Sequence, residues 1–216
     1  MIGVVVALEK EAHNFIKSTN AQENSSKIGK KIFTGSILGK DFVLIISGIG
    51  KVNAALSTQY LLDNYSLDFI LNFGSVGGIF GKTNACSYYL VDKCCQYDFD
   101  LSELDDVSVG YIQDYDSVYF STKTDKFDYL PIKSLATSDR FTSKQSDIET
   151  VLSLGCDIFD MEGGAIAEVC AANGIPLYIV KGVTDTHGSG NDTETFYKNL
   201  NAVCDGFYDI IVKGLK

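Results

Sequence analysis

The sequence predicts an α/β fold built on a central sheet that is mixed but mostly parallel. Two observations carry the prediction. Short apolar runs (Ile2 to Leu8, Phe69 to Phe73, Leu177 to Val180) are bounded by glycine or acid and alternate with segments of helical spacing. Lys31 to Leu38 and Asp41 to Ser47 flank Gly39-Lys40 as a β-hairpin, which makes the sheet mixed. No repeat, low-complexity tract or linker interrupts the 216 residues, so a single domain over 1–216 is expected.

Taken in order, Ile2 to Leu8 reads as a fully buried strand, because it has no polar alternation. Glu9-Lys10-Glu11 opens a helix to about Ser18, and acids in a first turn suit the helix dipole. Asn20 to Lys31 is polar and turn-like. After the hairpin, Ser47-Gly48-Ile49-Gly50-Lys51 turns into a helix with Val52, Ala55, Leu56, Tyr60 and Leu61 at helical spacing. Phe69 to Phe73 is a strand that ends in a glycine turn, Gly74 to Gly78. Tyr88 to Val91 and Val107 to Ile112 read as strands, separated by an acidic irregular stretch, and Gln113 to Asp128 is irregular too. Leu130 to Ala136 is β-like, and Ser143 caps a helix that reaches Leu154.

The stretch Asp157 to Asp185 is the most informative. A short strand, Ile158-Phe159, ends in Asp160-Met161-Glu162. A helix follows and is closed by Asn173-Gly174, with Pro176 barring its continuation. A second strand, Leu177 to Val180, leads to Lys181-Gly182-Val183-Thr184-Asp185. Each strand thus has a carboxylate past its C-terminal end, where open α/β sheets bind ligands. Thr193 to Leu215 closes the chain as an amphipathic helix.

Composition excludes several classes. Lys and Arg total 18 against 28 Asp and Glu, a net charge of −10, which disfavours nucleic acid and anionic membranes as partners. The N-terminus lacks the basic region of a signal peptide, and no apolar run reaches the length of a membrane-spanning helix. The six cysteines include no CxxC, and His13 and His187 are not spaced with them as zinc ligands. Reduced thiols in a cytoplasmic protein with no metal and no cofactor are expected.

Ser47-Gly48-Ile49-Gly50 invites a dinucleotide-binding reading. Asn53 stands where the third glycine belongs, and Asp68 lies at the wrong end of its strand, so a tight strand-to-helix turn is preferred. Gly74-Ser75-Val76-Gly77-Gly78 could let backbone amides approach a ribose or a nucleophile, or be a plain turn. No GxSxG elbow supports a serine nucleophile. Three strand-end acids remain, Glu11, Glu162 and Asp185. Each alone is ordinary surface, but together with two glycine turns at one sheet edge they suggest a site.

Five segments, IGVVVALEKEA, SGIGKVNAAL, DFILNFGSVGG, DMEGGAIAEVC and IPLYIVKGVTD, occur in an order that resembles the nucleoside phosphorylase/nucleosidase superfamily. More narrowly, they resemble bacterial 5′-methylthioadenosine/S-adenosylhomocysteine nucleosidases; about Cys95 to Ser134 is poorly matched. The resemblance implies a three-layer α/β/α fold and hydrolysis of the N-glycosidic bond of a 5′-thioadenosine nucleoside. Adenine and a 5-thioribose, a step of methionine salvage, would be the products. It implies Glu11 as the group that activates water, with Ser75 beside that water. Met161 would pack on the ribose and Glu162 hold its hydroxyls, while Asp185 would protonate adenine N7. Phe141 would stack on the base, the Thr142 backbone would read its edge, and Gly77 would lie in the binding turn. Leu8 and Ile49 would line the 5′-alkylthio pocket, and Phe196 would close it beyond a loop of altered length. A homodimer whose partner helps close that pocket is also implied, although no stripe in the sequence marks an interface.

Three departures accompany the resemblance. Gly163-Gly164 replaces bulkier residues after the ribose glutamate, which would alter the pocket floor. Lys181 replaces an arginine kept near the water and the glutamates, retaining charge but not the planar fork. Thr184 replaces the serine before the acid and keeps a hydroxyl. The rival within the superfamily is a purine nucleoside phosphorylase, but Asn72 stands where phosphorylases carry an arginine, and the N-terminal loop is acidic. A futalosine-type hydrolase and a non-catalytic nucleoside-binding protein also fit the same segments.

Overall fold

In the computed structural model, which describes residues 1–187 and 193–216, the N-terminal apolar run forms β1 (Ile2–Val6), buried throughout. α1 (Glu9–Ser18) starts at the first acid. The hairpin is β3 (Lys31–Ile37) and β4 (Lys40–Ile46), preceded by β2 (Gln22–Ser25). Then come α2 (Lys51–Asn64), β5 (Phe69–Ile79), β6 (Tyr88–Gln96), β7 (Phe120–Ser121) and β8 (Ile132–Thr137). The C-terminal third is α3 (Gln145–Ser153), β9 (Ile158–Asp160), α4 (Gly163–Asn173), β10 (Leu177–His187) and α5 (Thr193–Leu215).

One mixed sheet organises these elements. β4, β1, β5 and β10 run parallel in that order, and the antiparallel β3 and β2 extend the β4 edge. Beyond β5 the sheet curls into a ring: β5 pairs with β9, β9 with β8, β8 with β6, and β6 returns to β10.

Helices cover both faces, giving the three layers. α1 and α5 bury Ala12, Phe15, Val203 and Phe207 against Leu71 and Phe73. α2 and α4 bury Ala54, Leu61, Ala165 and Ile166 against Ile70 and Ile179. Phe15 packs edge-on against Phe42 with ring centroids 5.0 Å apart, and Phe73 lies 5.1 Å from Phe207. Fully burying each such ring contributes about 1.5–3 kcal/mol, which fixes α1 and α5 on the sheet.

Several expectations change. The glycine turn after Phe73 is not a turn: β5 continues through Gly74–Gly78 to Ile79, paired with β10 along its length. The glycines answer to packing, since a Cβ at Gly77 would lie 2.2 Å from the Phe159 ring and one at Gly78 2.1 Å from Thr83 Oγ1. β10 likewise runs to His187, so Asp185 lies within the strand rather than past its end.

The polar stretch after Asn20 contains β2, every residue of which is exposed. It is an edge strand with no apolar face to announce it. Val107 to Ile112 is not a strand and contributes only a bridge from Ile112 to Ser117. α3 begins at Gln145 with Lys144, not Ser143, at its N-cap and no side-chain capping bond.

α2 buries Ala54, Ser57, Thr58 and Leu61, and leaves Val52 78% and Leu56 45% exposed. Small residues face inward because α2 packs closely on α4 and β1. The loop before Phe196 lies outside the described residues. No helix among the described residues is long and apolar enough to cross a membrane.

Candidate active site

Glu11 occupies the third position of α1, where a glutamate can reach back to the start of its own helix. The Leu8 N–H donates to its Oε2 at 3.1 Å. The same carboxylate crosses to β5, where Oε1 accepts the Ser75 N–H at 2.7 Å and the Ser75 hydroxyl at 2.6 Å. Glu11 is only 3% exposed. Gly74 permits the approach, because a Cβ there would stand 3.2 Å from Glu11 Oε1. The sheet edge thus ties the first helix to the strand carrying Ser75.

β9 ends at Asp160, and Glu162 is the N-cap of α4. Glu162 Oε1 accepts the Gly50 N–H at 2.9 Å. Burial, then the negative charge of Asp160, push the Glu162 carboxyl up to about 7, against the opposing pull of Lys181 and the Gly50 N–H. Asp160 itself is saturated with donors: Lys181 Nζ at 2.8 Å, Thr137 Oγ1 at 2.6 Å and the Gly163 N–H at 2.9 Å.

Lys181 is 2% exposed. Burial pulls its pKa down, but Asp160 first, then Glu162 and Glu11, outweigh this and hold the ammonium above its ordinary value. Its ion pair is with Asp160, so Lys181 acts on the two glutamates through charge across space while a backbone amide orients Glu162.

Asp185 owes its aim to a β-bulge. Val183 pairs with Val76 and Asp185 with Gly77, leaving Thr184 as the extra residue. A bulge re-aims side chains, so that neighbours Thr184 and Asp185 both border the same cleft. Thr184 Oγ1 lies 2.8 Å from Asp185 Oδ1 and 3.2 Å from the Val76 carbonyl. α5 reinforces the bulge through Asn199 Nδ2, which donates to the Thr184 carbonyl at 2.8 Å.

These groups meet in a cleft enclosing roughly 740 Å³, part of it open to solvent. Glu11, Glu162 and Asp185 share it with Ser75, Gly77, Met161 and Thr184. Leu8, Ile49 and Phe196 supply apolar wall. Phe141, 74% exposed, stands at the rim beside the buried Thr142. Every residue proposed from the sequence as contacting substrate lines this one cleft; Lys181 alone is set behind the wall.

The Gly163-Gly164 pair does not form the cleft floor. It starts α4, where a Cβ at Gly163 would meet Leu135 at 2.4 Å and one at Gly164 would meet Thr137 at 3.0 Å. Sequence reasoning missed Asp160, Phe159, Val76, Ala7 and Arg140, which also line the cleft. Asp160 carried a signal in the acid pair flanking Met161; Phe159 and Val76 read only as core.

The profile of the family described as the phosphorylase superfamily matches residues 1–215. The chain is 33% identical over 217 residues to a 5′-methylthioadenosine/S-adenosylhomocysteine nucleosidase of Buchnera aphidicola subsp. Schizaphis graminum, covering 92% of this chain and 89% of that one. It superimposes with a TM-score of 0.89 and 25% identity on a putative 5′-methylthioadenosine/S-adenosylhomocysteine nucleosidase of Borrelia burgdorferi bound to adenine, covering 100% and 99% of the two chains. A futalosine hydrolase of Helicobacter pylori shares the fold at a TM-score of 0.88 and 20% identity, covering 99% and 96%.

Proposed function

Because this chain belongs to the 5′-methylthioadenosine/S-adenosylhomocysteine nucleosidase family of the phosphorylase superfamily, we propose that it hydrolyses the N-glycosidic bond of 5′-thioadenosine nucleosides. The products are adenine and a 5-thioribose, a step of methionine salvage. The observation that carries this reading is the meeting of three carboxylates from distant segments, Glu11, Glu162 and Asp185, in one cleft with Ser75 bound to Glu11.

The chemistry divides among them. Cleavage makes the sugar oxocarbenium-like and drives electrons onto the base. Asp185 gives a proton to N7 of the departing adenine, with Thr184 fixing its carboxyl. Glu11 takes a proton from water as the water attacks C1 of the sugar, and Ser75 orients Glu11 and the water. Glu162 accepts the ribose hydroxyls, and Met161 packs beneath the sugar. Phe141 stacks on the base, and the Thr142 backbone reads its edge. A positioned general acid or base contributes roughly 10²–10⁴-fold. The reaction needs the acid to carry a proton and the base to lack one as substrate binds.

Water is favoured over phosphate as nucleophile because the cations here are already matched. Lys181 pairs with Asp160 and Arg140 with Asp147, at 2.8 Å and 3.3 Å. Asn72 is buried and its Nδ2 donates to the Val5 carbonyl at 2.9 Å. Two acids would meet a phosphate dianion with repulsion.

Val52 and Leu56, exposed four residues apart on α2, and the exposed Ile49 just before the helix, which lines the cleft, support a homodimer. Six free cysteines accord with a cytoplasmic setting.

The reading is tested by incubating the protein with methylthioadenosine, S-adenosylhomocysteine, adenosine, inosine and futalosine and measuring the free base. Adenine from the first two substrates, faster than from adenosine, is expected. Release only from inosine or futalosine would overturn the assignment.

A further inference from the structure

Three segments far apart in the chain meet at the first turn of α2. The Lys51 N–H donates to Asp139 Oδ1 at 2.7 Å. The Asp139 N–H donates to Asp98 Oδ2 at 2.8 Å. Asp98 Oδ1 closes the ring on Lys51 Nζ at 2.7 Å, in an ion pair whose side chains are only 17% and 15% exposed. One residue before Lys51, the Gly50 N–H is bonded to Glu162. Two consecutive amides at one helix start therefore bind two carboxylates, one in the loop after β8 and one at the head of α4.

Glycine makes this possible. Gly50 has φ 97° and ψ 159°, in a region that only glycine occupies at ease. A Cβ there would also press on Asp139 Oδ1 at 3.0 Å. Neither Lys51 nor Asp98 lines the cleft, and the ring they form lies outside the groups given roles above.

Asp139 is followed directly by Arg140, Phe141 and Thr142, the cleft-lining part of that loop. The loop is pinned on its other flank by Tyr97, the neighbour of Asp98. The Tyr97 hydroxyl lies 2.6 Å from Thr142 Oγ1 and accepts from the Ser138 hydroxyl at 2.8 Å. Two consecutive residues beyond β6 thus hold the loop from both sides, Tyr97 from the interior and Asp98 from the edge.

We propose that the α2 start is a joint coupling the base loop to the ribose carboxylate, with Lys51 and Asp98 as its positioning residues. The proposal rests on the functional reading above, in which the loop meets adenine and Glu162 meets the sugar. A shift of the base loop moves Asp139, Asp139 moves the rigid first turn of α2, and that turn carries the Gly50 amide bonded to Glu162. Base and sugar therefore bind cooperatively, each setting the geometry for the other. Such a joint suits a reaction in which charge builds on both fragments at once.

The test is adenine binding by calorimetry with and without saturating 5-methylthioribose. In the wild-type protein the sugar tightens adenine by about 5-fold or more, the range of ordinary coupling between sites. Lys51→Met and Asp98→Asn reduce that factor toward one and raise KM for methylthioadenosine more than they lower kcat. Lys51→Arg, which keeps the charge, restores the coupling. Thermal melting of each variant separates lost folding from lost coupling. Equal coupling in wild type, Lys51→Met and Asp98→Asn, or none in the wild type, overturns the proposal. If the wild-type protein released no adenine from any thioadenosine nucleoside, the functional reading would fall separately, by an assay independent of these titrations.

Discussion

The Ser75 hydroxyl donates to Glu11 Oε1 at 2.6 Å, joining residues 64 positions apart in the chain. With the Ser75 N–H on the same oxygen and the Leu8 N–H on the other, the carboxylate is held from β5 and from its own helix. In the proposed mechanism this anchored carboxylate, which lines the cleft, is the base that takes the proton from water.

Glu11→Gln preserves the shape but removes the proton acceptor. It is expected to lower kcat by about 10²–10⁴-fold with little change in affinity for an uncleaved adenosine analogue. Ser75→Ala loses one of three anchors and is expected to cost far less. Steady-state kinetics with analogue titration measures both, and a Glu11→Gln enzyme of wild-type kcat would remove Glu11 from the mechanism.

Asp185→Asn is expected to abolish adenine release while the analogue still binds, because an amide cannot supply the proton. Thr184→Val keeps the bulge but deletes the contact at 2.8 Å to Asp185, so an intermediate loss is expected. Equal activity in Asp185→Asn and wild type would show that another group protonates the base.

Glu162 gives a pH dependence with a definite sign. Its folded pKa of about 7 lies above the ordinary 4.5, so the folded protein holds a proton that the unfolded chain gives up. The associated stability is present below about pH 4.5 and is lost as the pH rises through about 7. Under the role proposed for Glu162, ligand binding runs the other way, since an ionised carboxylate is the better acceptor for ribose hydroxyls. KM for methylthioadenosine is therefore expected to rise as the pH falls below about 7. Both trends are expected to flatten in Glu162→Gln, measured by melting and by kinetics across pH; unflattened trends would assign the titration elsewhere.

The Lys181–Asp160 pair is deeply buried, with side chains 2% and 1% exposed. Removing one partner leaves an uncompensated charge, so Lys181→Met is expected to destabilise by about 3–5 kcal/mol in urea unfolding. Adding Asp160→Asn is expected to recover part of that loss, a non-additivity typical of directly paired groups. Additive losses would mean the two charges do not depend on each other.

Much of this site is legible in the sequence because its acids stand beside buried strands that announce themselves by unbroken apolar runs. Glu11, Glu162 and Asp185 stand out that way, and the cleft brings all three together. Illegible parts have physical reasons. The Gly74 to Gly78 run looks like a turn, because glycine signals freedom, whereas here it makes room for Phe159 and Thr83. The bulge at Thr184 leaves no composition signal, since it arises from register with β5. Val52 and Leu56 look like core by spacing, but the core face of α2 is built from Ala54, Ser57 and Thr58. Tyr97 and Asp98 sit in an acidic, irregular stretch whose meaning appears only when β6, the loop after β8 and α2 come together.

The proposed mechanism turns on water, activated at Glu11, attacking the sugar. Turnover of methylthioadenosine in phosphate-free buffer enriched in ¹⁸O-water, followed by mass spectrometry of the sugar product, decides this. Full-rate adenine release without phosphate is expected, with one ¹⁸O at C1 of methylthioribose. A requirement for phosphate, with methylthioribose 1-phosphate as product, would show that phosphate and not water is the nucleophile.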